Sequence, residues 1–356
     1  MAGPGWGTMS ESRSFISRDE AQSPFFVGLD LGGTNIKAGV VDDRGRPLSW
    51  LSVPTDADKG PEDAAARMGQ AVLQAIADAG LQPSDVARVG LGSPGTMDIP
   101  AGKLLKPVNL KGWDDFPIRD RVAHHCGLPV TFANDAAAAA YGEFWVGSGR
   151  DFHSMVLFTL GTGIGCGIII GDFSIDGENS HGAECGHLII NDAEDARVCG
   201  CGRRGHLEAY ASATAVIKRA EKALTNRHSS SLAARIAEGA ELTPKLLAVE
   251  AEAGDELSLE IIFEVAQAMG VGIVNLLHTI DPSGVLLGGA MTFGGNQTEL
   301  GRRFLGRIKE EVNRRAFAVL AERTTIDFAS LGGDAGYIGA AGIARVEHMK
   351  TNGQAN

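Results

Sequence analysis

The chain of 356 residues is too long for one ordinary domain and fits two. Its formal net charge of −12, with no basic run interleaved with aromatics, argues against a nucleic-acid partner. No stretch approaches the roughly 18 consecutive apolar residues of a membrane helix, so no membrane partner is expected.

Met1 to Pro24 lacks the apolar core of a secretory signal and reads as a disordered arm, 1–24. Order is expected to begin at Phe25, where Phe25 to Asp30 forms a short buried strand. Gly32-Gly33-Thr34 makes a turn, Ile36 to Val41 a second strand, and Leu48 to Val53 a third, after the hairpin signal Asp42-Asp43-Arg44-Gly45. A helix opens at Pro61 and stops at Gly80, with Met68, Val72 and Ile76 at helical spacing. Val86 to Leu91 is a strand, Asp115 to Cys126 a helix, Leu128 to Phe132 a strand, and Asp135 to Trp145 an Ala-rich helix. Then the opening pattern recurs: strand Ser154 to Leu160, turn Gly161-Thr162-Gly163, strand Ile164 to Ile170. The recurrence predicts an internal duplication that sets two glycine turns face to face across a cleft. Surface helices are expected between Val216 and Gly254, strands near Val285 to Leu287 and Thr325 to Phe328, and a final helix from Ala335 to Met349.

Glycines at Gly32 and Gly33 let backbone approach a phosphate; Thr34 adds a hydroxyl, Lys37 a cation, and Asp30 a carboxylate suited to hydrated Mg²⁺. Alone, this turn is as well explained by an ordinary glycine hairpin, and Gly161-Thr162-Gly163-Ile164-Gly165 is equally ambiguous. In matching contexts the pair is a strong signal. Asn134-Asp135 follows an apolar strand and opens a helix. Without context a helix cap is the better reading of Asp135; between two phosphate turns it becomes a general base for an attacking hydroxyl. Gly288-Gly289-Ala290, after an apolar strand, suits close approach to a nucleoside and suits a plain strand-to-helix turn nearly as well.

The densest region is Gly182 to Glu208. Cys199, Cys201, His206 and His187 offer two sulfurs and two imidazoles on a glycine-rich loop, a set that can wrap one tetrahedral Zn²⁺. Such a metal keeps no position for water and is expected to be structural. Two free thiols in a surface loop is the competing reading.

These residues resemble the ROK family, named for its repressors, open reading frames and kinases, from about Phe25 to Ala344. The resemblance rests on Asp30 to Asn35, Gly161 to Gly165, Gly288-Gly289-Ala290, Gly332-Gly333-Asp334-Ala335-Gly336, and above all Glu184-Cys185-Gly186-His187 with Cys199-Gly200-Cys201-Gly202-Arg203-Arg204-Gly205. It implies an α/β, two-lobed actin-like ATPase (ribonuclease H-like) fold with a duplicated strand-turn-strand phosphate-binding core. The small lobe would span 25–133, with the C-terminal helix 335–350 returning to it; the large lobe would span 134–334 and carry the zinc loop 182–208. The implied activity is ATP-dependent phosphorylation of a hexose, with Mg²⁺ bridging the β- and γ-phosphates and the 6-hydroxyl of glucose as acceptor.

The same resemblance assigns roles. Asp135 is the base. Gly95, Asn109, Asn134, Asp135, Glu184, His187 and Glu208 line the sugar pocket. Asp30, Gly32, Gly33, Thr34, Lys37, Gly161, Thr162, Gly163, Gly165, Gly288, Gly289 and Ala290 serve ATP. His187 both ligates zinc and touches sugar, one ring nitrogen for each. The chain departs from the family in having His206 where a third cysteine is usual, and in a slightly longer separation of His187 from Cys199. Mannose, fructose or an N-acetyl sugar are the alternative acceptors. A sugar-sensing repressor is a reading of another class, disfavoured because only about 24 residues precede Phe25. A reducing cytoplasm and a homodimer or homotetramer are the expected setting.

Overall fold

The structure, a computed structural model, describes residues 13–107, 110–225 and 230–353. It divides into two compact units: one holds the described residues up to 157, with 167–183 and those from 329 onward; the other holds 158–166 and 184–328. The expected boundaries were 133 and 334; in this division residues 134–157 go with the first unit.

The first unit begins with β1 (Phe25–Leu31), β2 (Asn35–Val41), β3 (Pro47–Pro54), α1 (Pro61–Asp78), β4 (Val86–Ser93), the small hairpin β5 (Met97–Asp98) and β6 (Lys103–Leu104), α2 (Ile118–Cys126), β7 (Val130–Asn134) and α3 (Asp135–Trp145). Then come β8 (Ser154–Leu160), β9 (Ile164–Ile170) and β10 (Phe173–Ser174), with β8 and β9 running through from one unit to the other. The second unit adds α4 (Glu208–Ala211), α5 (Ala213–Leu224), α6 (Ser231–Ala237), α7 (Pro244–Glu252), α8 (Glu256–Ile280), β11 (Gly284–Gly288), α9 (Glu299–Arg315), α10 (Ala318–Arg323) and β12 (Thr325–Phe328). The chain closes with α11 (Ala335–Thr351) in the first unit.

One sheet runs β3-β2-β1-β4-β7 and the other β10-β9-β8-β11-β12. Counted within each half the two orders are the same, so the duplication legible in the glycine turns extends to strand order. In the first sheet β1, β2 and β3 pair antiparallel while β1, β4 and β7 pair parallel. Alternation along β1 sends Phe25, Val27, Leu29 and Leu31 into the core under α1, while Phe26 joins Tyr337 and Ile338 of α11 on the opposite face. Both faces are covered, which is why β1 reads as an apolar run from Phe25 to Leu29. In the second unit α8 is long and apolar enough to cross a membrane, but 67% of its apolar window is buried inside the fold, the pattern of a core helix.

Two expectations fail. The helix expected from Asp115 starts at Ile118, because Asp115 adopts a left-handed backbone with φ of 54° and cannot lie inside a right-handed helix. The arm expected to be disordered is folded from Arg13: Ile16 N–H donates to the Pro47 carbonyl at 3.0 Å, and Arg18–Glu20 forms a short 3-10 helix.

Gly28 and Gly90 explain how α11 reaches the sheet. A Cβ at either position would fall on the α11 backbone, at the Tyr337 or the Ala340 carbonyl. By contrast, a Cβ at Gly33 would meet nothing within 4 Å. We expect Gly90→Ala to cost at least about 2 kcal/mol by overpacking and Gly33→Ala less than about 0.5 kcal/mol. Urea denaturation checks this through the midpoint at unchanged m-value; a Gly90→Ala loss no larger than that of Gly33→Ala refutes the packing argument.

Candidate active site

In the first unit the expected residues gather at one end of the sheet. Asp30 pairs in register with Gly92, and Gly92 with Ala133, so the carboxyl ends of β1, β4 and β7 lie level. Carboxyl ends of parallel strands are where open α/β sheets bind ligands. The first turn is closed by Gly32 N–H donating to Asn35 O at 2.9 Å and buttressed by Thr55, whose hydroxyl donates to Gly32 O at 2.7 Å. Gly33, Thr34 and Asn35 are exposed at its tip. Asp30 faces Lys37 across β1 and β2, 3.4 Å from its Nζ. Burial pushes the Asp30 carboxyl above its ordinary value, and the Lys37 ammonium opposes that rise.

α11 completes this end of the unit. Lys37 Nζ donates to the Gly333 carbonyl at 2.9 Å, and a Cβ on Gly336 would collide with the Asp30 carboxylate. Gly333, Gly336 and Thr55 were not among the expected site residues. The glycine-rich stretch 332–336 was visible in the sequence, but Lys37, which its Gly333 carbonyl receives, lies 296 residues away.

Asn134 and Asp135 divide their labour. Asn134 Oδ1 accepts from Ala136 N–H at 2.8 Å and from Ala137 N–H at 3.1 Å, so Asn134 is the N-cap of α3 and its amide nitrogen is not used in the cap. Asp135 also accepts from Ala136 N–H, at 2.8 Å. Gly95, two residues past the Ser93–Asn134 pair, has φ of 95°, and a Cβ there would strike Pro107. Asn109 lies outside the described residues.

In the second unit Gly161 N–H donates to Gly163 O at 3.0 Å to close the second turn. The N-terminus of α5 adjoins it: Ala213 N–H donates to Gly161 O at 2.9 Å and Thr214 Oγ1 to Thr162 O at 2.9 Å. A helix N-terminus beside a glycine turn favours an anion, and these α5 residues were missed because they lie 50 positions downstream. Gly289 has φ of 89°; a Cβ there would collide with Leu160, and Met291 N–H donates to the Leu160 carbonyl at 3.1 Å. Thus Gly288-Gly289-Ala290 adjoins the entry to the second turn.

Glu208 links this turn to the cysteine loop. Its Oε2 accepts from Ile164 N–H at 3.0 Å, and Cys199 Sγ donates to its Oε1 at 3.3 Å. The side-chain donors of His187, Cys199, Cys201 and His206 all lie within 4.8 Å of one another and can hold one metal ion. Tetrahedral Zn²⁺, with Zn–S of about 2.3 Å and Zn–N of about 2.0–2.1 Å, sets its ligand atoms about 3.3–3.8 Å apart. Here His187 Nδ1 is 3.2 Å from His206 Nδ1 and 3.8 Å from Cys199 Sγ, and Cys201 Sγ is 3.3 Å from His206 Nδ1, so the set fits. His187 turns its other nitrogen, Nε2, toward Glu184, 3.9 Å away. Burial, with the neighbouring Glu208 carboxylate, pushes the Cys199 thiol up to about 12, against a backbone hydrogen bond from Cys201 that lowers it. Burial also lowers His206, aided by His187 and Arg203 and opposed by Glu208, which favours the neutral imidazole that a metal would need.

The duplicated sheets and glycine turns are those of the two-lobed actin-like ATPase fold, and the chain belongs to the ROK family, whose family model matches residues 26–347. It is 32% identical over 321 residues to a glucokinase of Halalkalibacterium halodurans, covering 90% of this chain and 95% of that protein. Among solved structures, the ROK hexokinase of Thermus thermophilus superposes with a TM-score of 0.76 at 32% identity, covering 92% of this chain and 99% of that one. A ROK glucokinase of Streptomyces griseus, solved with glucose and AMPPNP, superposes with a TM-score of 0.72 at 33% identity, covering 90% and 99%.

The cap geometry separates two roles for the Asn134-Asp135 pair. Asn134→Ala should cost about 1 kcal/mol through the lost cap, and Asp135→Asn only a few tenths through the helix dipole. Thermal unfolding of the two variants measures both. A larger loss at Asp135 would return that residue to a structural role.

Proposed function

We propose that this protein is an ATP-dependent hexose kinase whose preferred acceptor is the 6-hydroxyl of glucose. The observation that carries the reading is the position of Asp135: it heads α3 directly after Asn134, whose side chain caps the helix with two hydrogen bonds, at the carboxyl end of β7. An acidic group at the carboxyl end of a parallel sheet, one strand from Gly95 and steadied by Ala136 N–H, is suited to general base work. The glucose and AMPPNP bound by the Streptomyces griseus relative support the choice of substrates.

In this reading Asp135 accepts the proton of the attacking 6-hydroxyl as its oxygen bonds to the γ-phosphorus and the bond to the β-phosphate oxygen breaks, giving ADP and the sugar 6-phosphate. Gly32, Gly33 and Thr34, with Gly161, Thr162, Gly163 and Gly165, form the two turns that would cradle the phosphates, Gly32 and Gly161 closing them with their own N–H groups, and Gly288-Gly289-Ala290 would receive the nucleoside. Asp30 would bind hydrated Mg²⁺, which when bound neutralises phosphate charge. Lys37, held by Asp30 and Gly333, adds positive charge beside the turn. Gly95, Asn109, Asn134, Glu184, His187 and Glu208 orient the sugar.

For activity, we expect a coupled assay with ATP and Mg²⁺ to give the highest kcat/KM on glucose across a hexose panel. Asp135→Asn should lower kcat roughly 10²–10⁴-fold, the usual scale for a lost general base, with sugar affinity changed much less. A higher kcat/KM on mannose or an N-acetyl sugar would replace glucose as the substrate. Near-normal turnover by Asp135→Asn would remove it as the base.

His187, Cys199, Cys201 and His206 are proposed to hold one structural Zn²⁺, which would pin the loop and fix which nitrogen of His187 faces the sugar. Elemental analysis should find one equivalent per chain in the wild type and in His206→Cys, and well under half in His206→Ala. Because metal uptake must displace the Cys199 proton, zinc affinity should fall as pH falls. Fully active, chelator-resistant protein lacking zinc would contradict the assignment.

A further inference from the structure

Residues 13–24 precede the segment matched by the family model, which starts at residue 26. They are nevertheless knit into the first unit. Besides the Ile16 bond to Pro47, Arg18 donates to the Gly80 carbonyl at 3.1 Å, Arg46 donates to the Glu20 carbonyl at 2.8 Å, and Gln22 N–H reaches Asp42 Oδ2 at 3.1 Å. Beyond these anchors Arg13 makes a two-sided contact. Its Nε lies 3.0 Å from each carboxylate oxygen of Asp334, and a terminal nitrogen lies 2.9 Å from Oδ1. Its guanidinium carbon sits 3.7 Å from the centre of the Trp50 ring. The two charged side chains are only 30% and 22% exposed. A planar fork engaging a carboxylate while stacking on an indole is a task for arginine and not for lysine.

What Asp334 holds gives the contact its consequence. It stands between Gly333, whose carbonyl receives Lys37 Nζ, and Ala335, the first residue of α11. Two residues further on, Gly336 lies against the Asp30 carboxylate. Arg13 is thus one residue removed from the backbone that sets both charged groups beside the first glycine turn.

We propose that Arg13 is a positioning residue for the nucleotide: by gripping Asp334 against Trp50 it keeps the start of α11 in register with Asp30 and Lys37. The segment ahead of the family core thereby sets phosphate affinity. This rests on reading Gly32-Gly33-Thr34 as a phosphate turn.

The test uses the full chain and titrates AMPPNP by calorimetry, which does not require turnover, alongside glucose KM and thermal unfolding. Arg13→Ala should weaken AMPPNP binding about five- to tenfold, near the low end for coupled sites, with glucose KM unchanged within about twofold. Arg13→Lys should recover less than half of the lost affinity. Asp334→Ala should mimic Arg13→Ala, and combining the two should add nothing, since both break one contact. Unchanged AMPPNP affinity in a folded Arg13→Ala protein overturns the proposal, as do additive losses in the double variant or an equal loss for sugar and nucleotide. Wild-type protein that binds no AMPPNP sinks the phosphate-turn reading and this proposal with it; wild-type binding that Arg13→Ala leaves intact sinks this proposal alone.

Discussion

Contact of the α11 backbone with the backbone of β1 and β4 is the constraint on which the first unit depends. Two carbonyls of α11, Tyr337 and Ala340, occupy the space that side chains would need at Gly28 and Gly90. The helix can therefore lie closer to the sheet than ordinary side-chain packing permits. On its other side a Cβ at Gly339 would fall on the Ala138 carbonyl of α3, so α3 is drawn in as closely. Asp135 heads α3, while Gly333 and Gly336 flank the start of α11. One close-packed layer thus sets the proposed base and the charged pair Asp30–Lys37 at the same sheet end.

Buried polar groups reinforce that layer. Glu143 of α3 is fully buried, and its carboxylate accepts from Ser148 N–H at 3.0 Å, Leu331 N–H at 2.6 Å and Ser330 Oγ at 3.2 Å. A buried carboxylate with no donors would be costly; with these donors it ties the end of α3 to the segment leading into α11. Asp42 plays a similar part at the β2–β3 turn, where Arg46 and three backbone N–H groups hold its carboxyl below the usual carboxylate range despite burial.

The second unit organises its turn differently. There a single carboxylate, Glu208, reaches the backbone of Ile164 with one oxygen and Cys199 with the other. The loop of His187, Cys199, Cys201 and His206 is folded by the short bridges Ile189–His206 and Val198–Arg204 and by Tyr210, whose hydroxyl accepts from Asn191 and Arg197. The His/Cys cluster and the shape of the second glycine turn therefore share one side chain.

Local patterns in the sequence sufficed for the strand pairs flanking each glycine turn, for α3 to its terminal residues, and for the gathering of His187, Cys199, Cys201 and His206, because period-2 burial, helix capping and residue spacing are encoded within a few residues. Where such signals were weak the reading failed: the left-handed Asp115 delayed α2, and the segment from Arg13 has too few apolar residues to announce that it folds. The sequence also showed a glycine-rich stretch at 332–336 without showing its purpose. Only the tertiary structure brought Gly333 to Lys37, Gly336 to Asp30, Arg13 to Asp334 and the start of α5 to the second turn. Those pairings are set by how closely packed backbones can approach across hundreds of residues, and no local pattern of side chains records that distance.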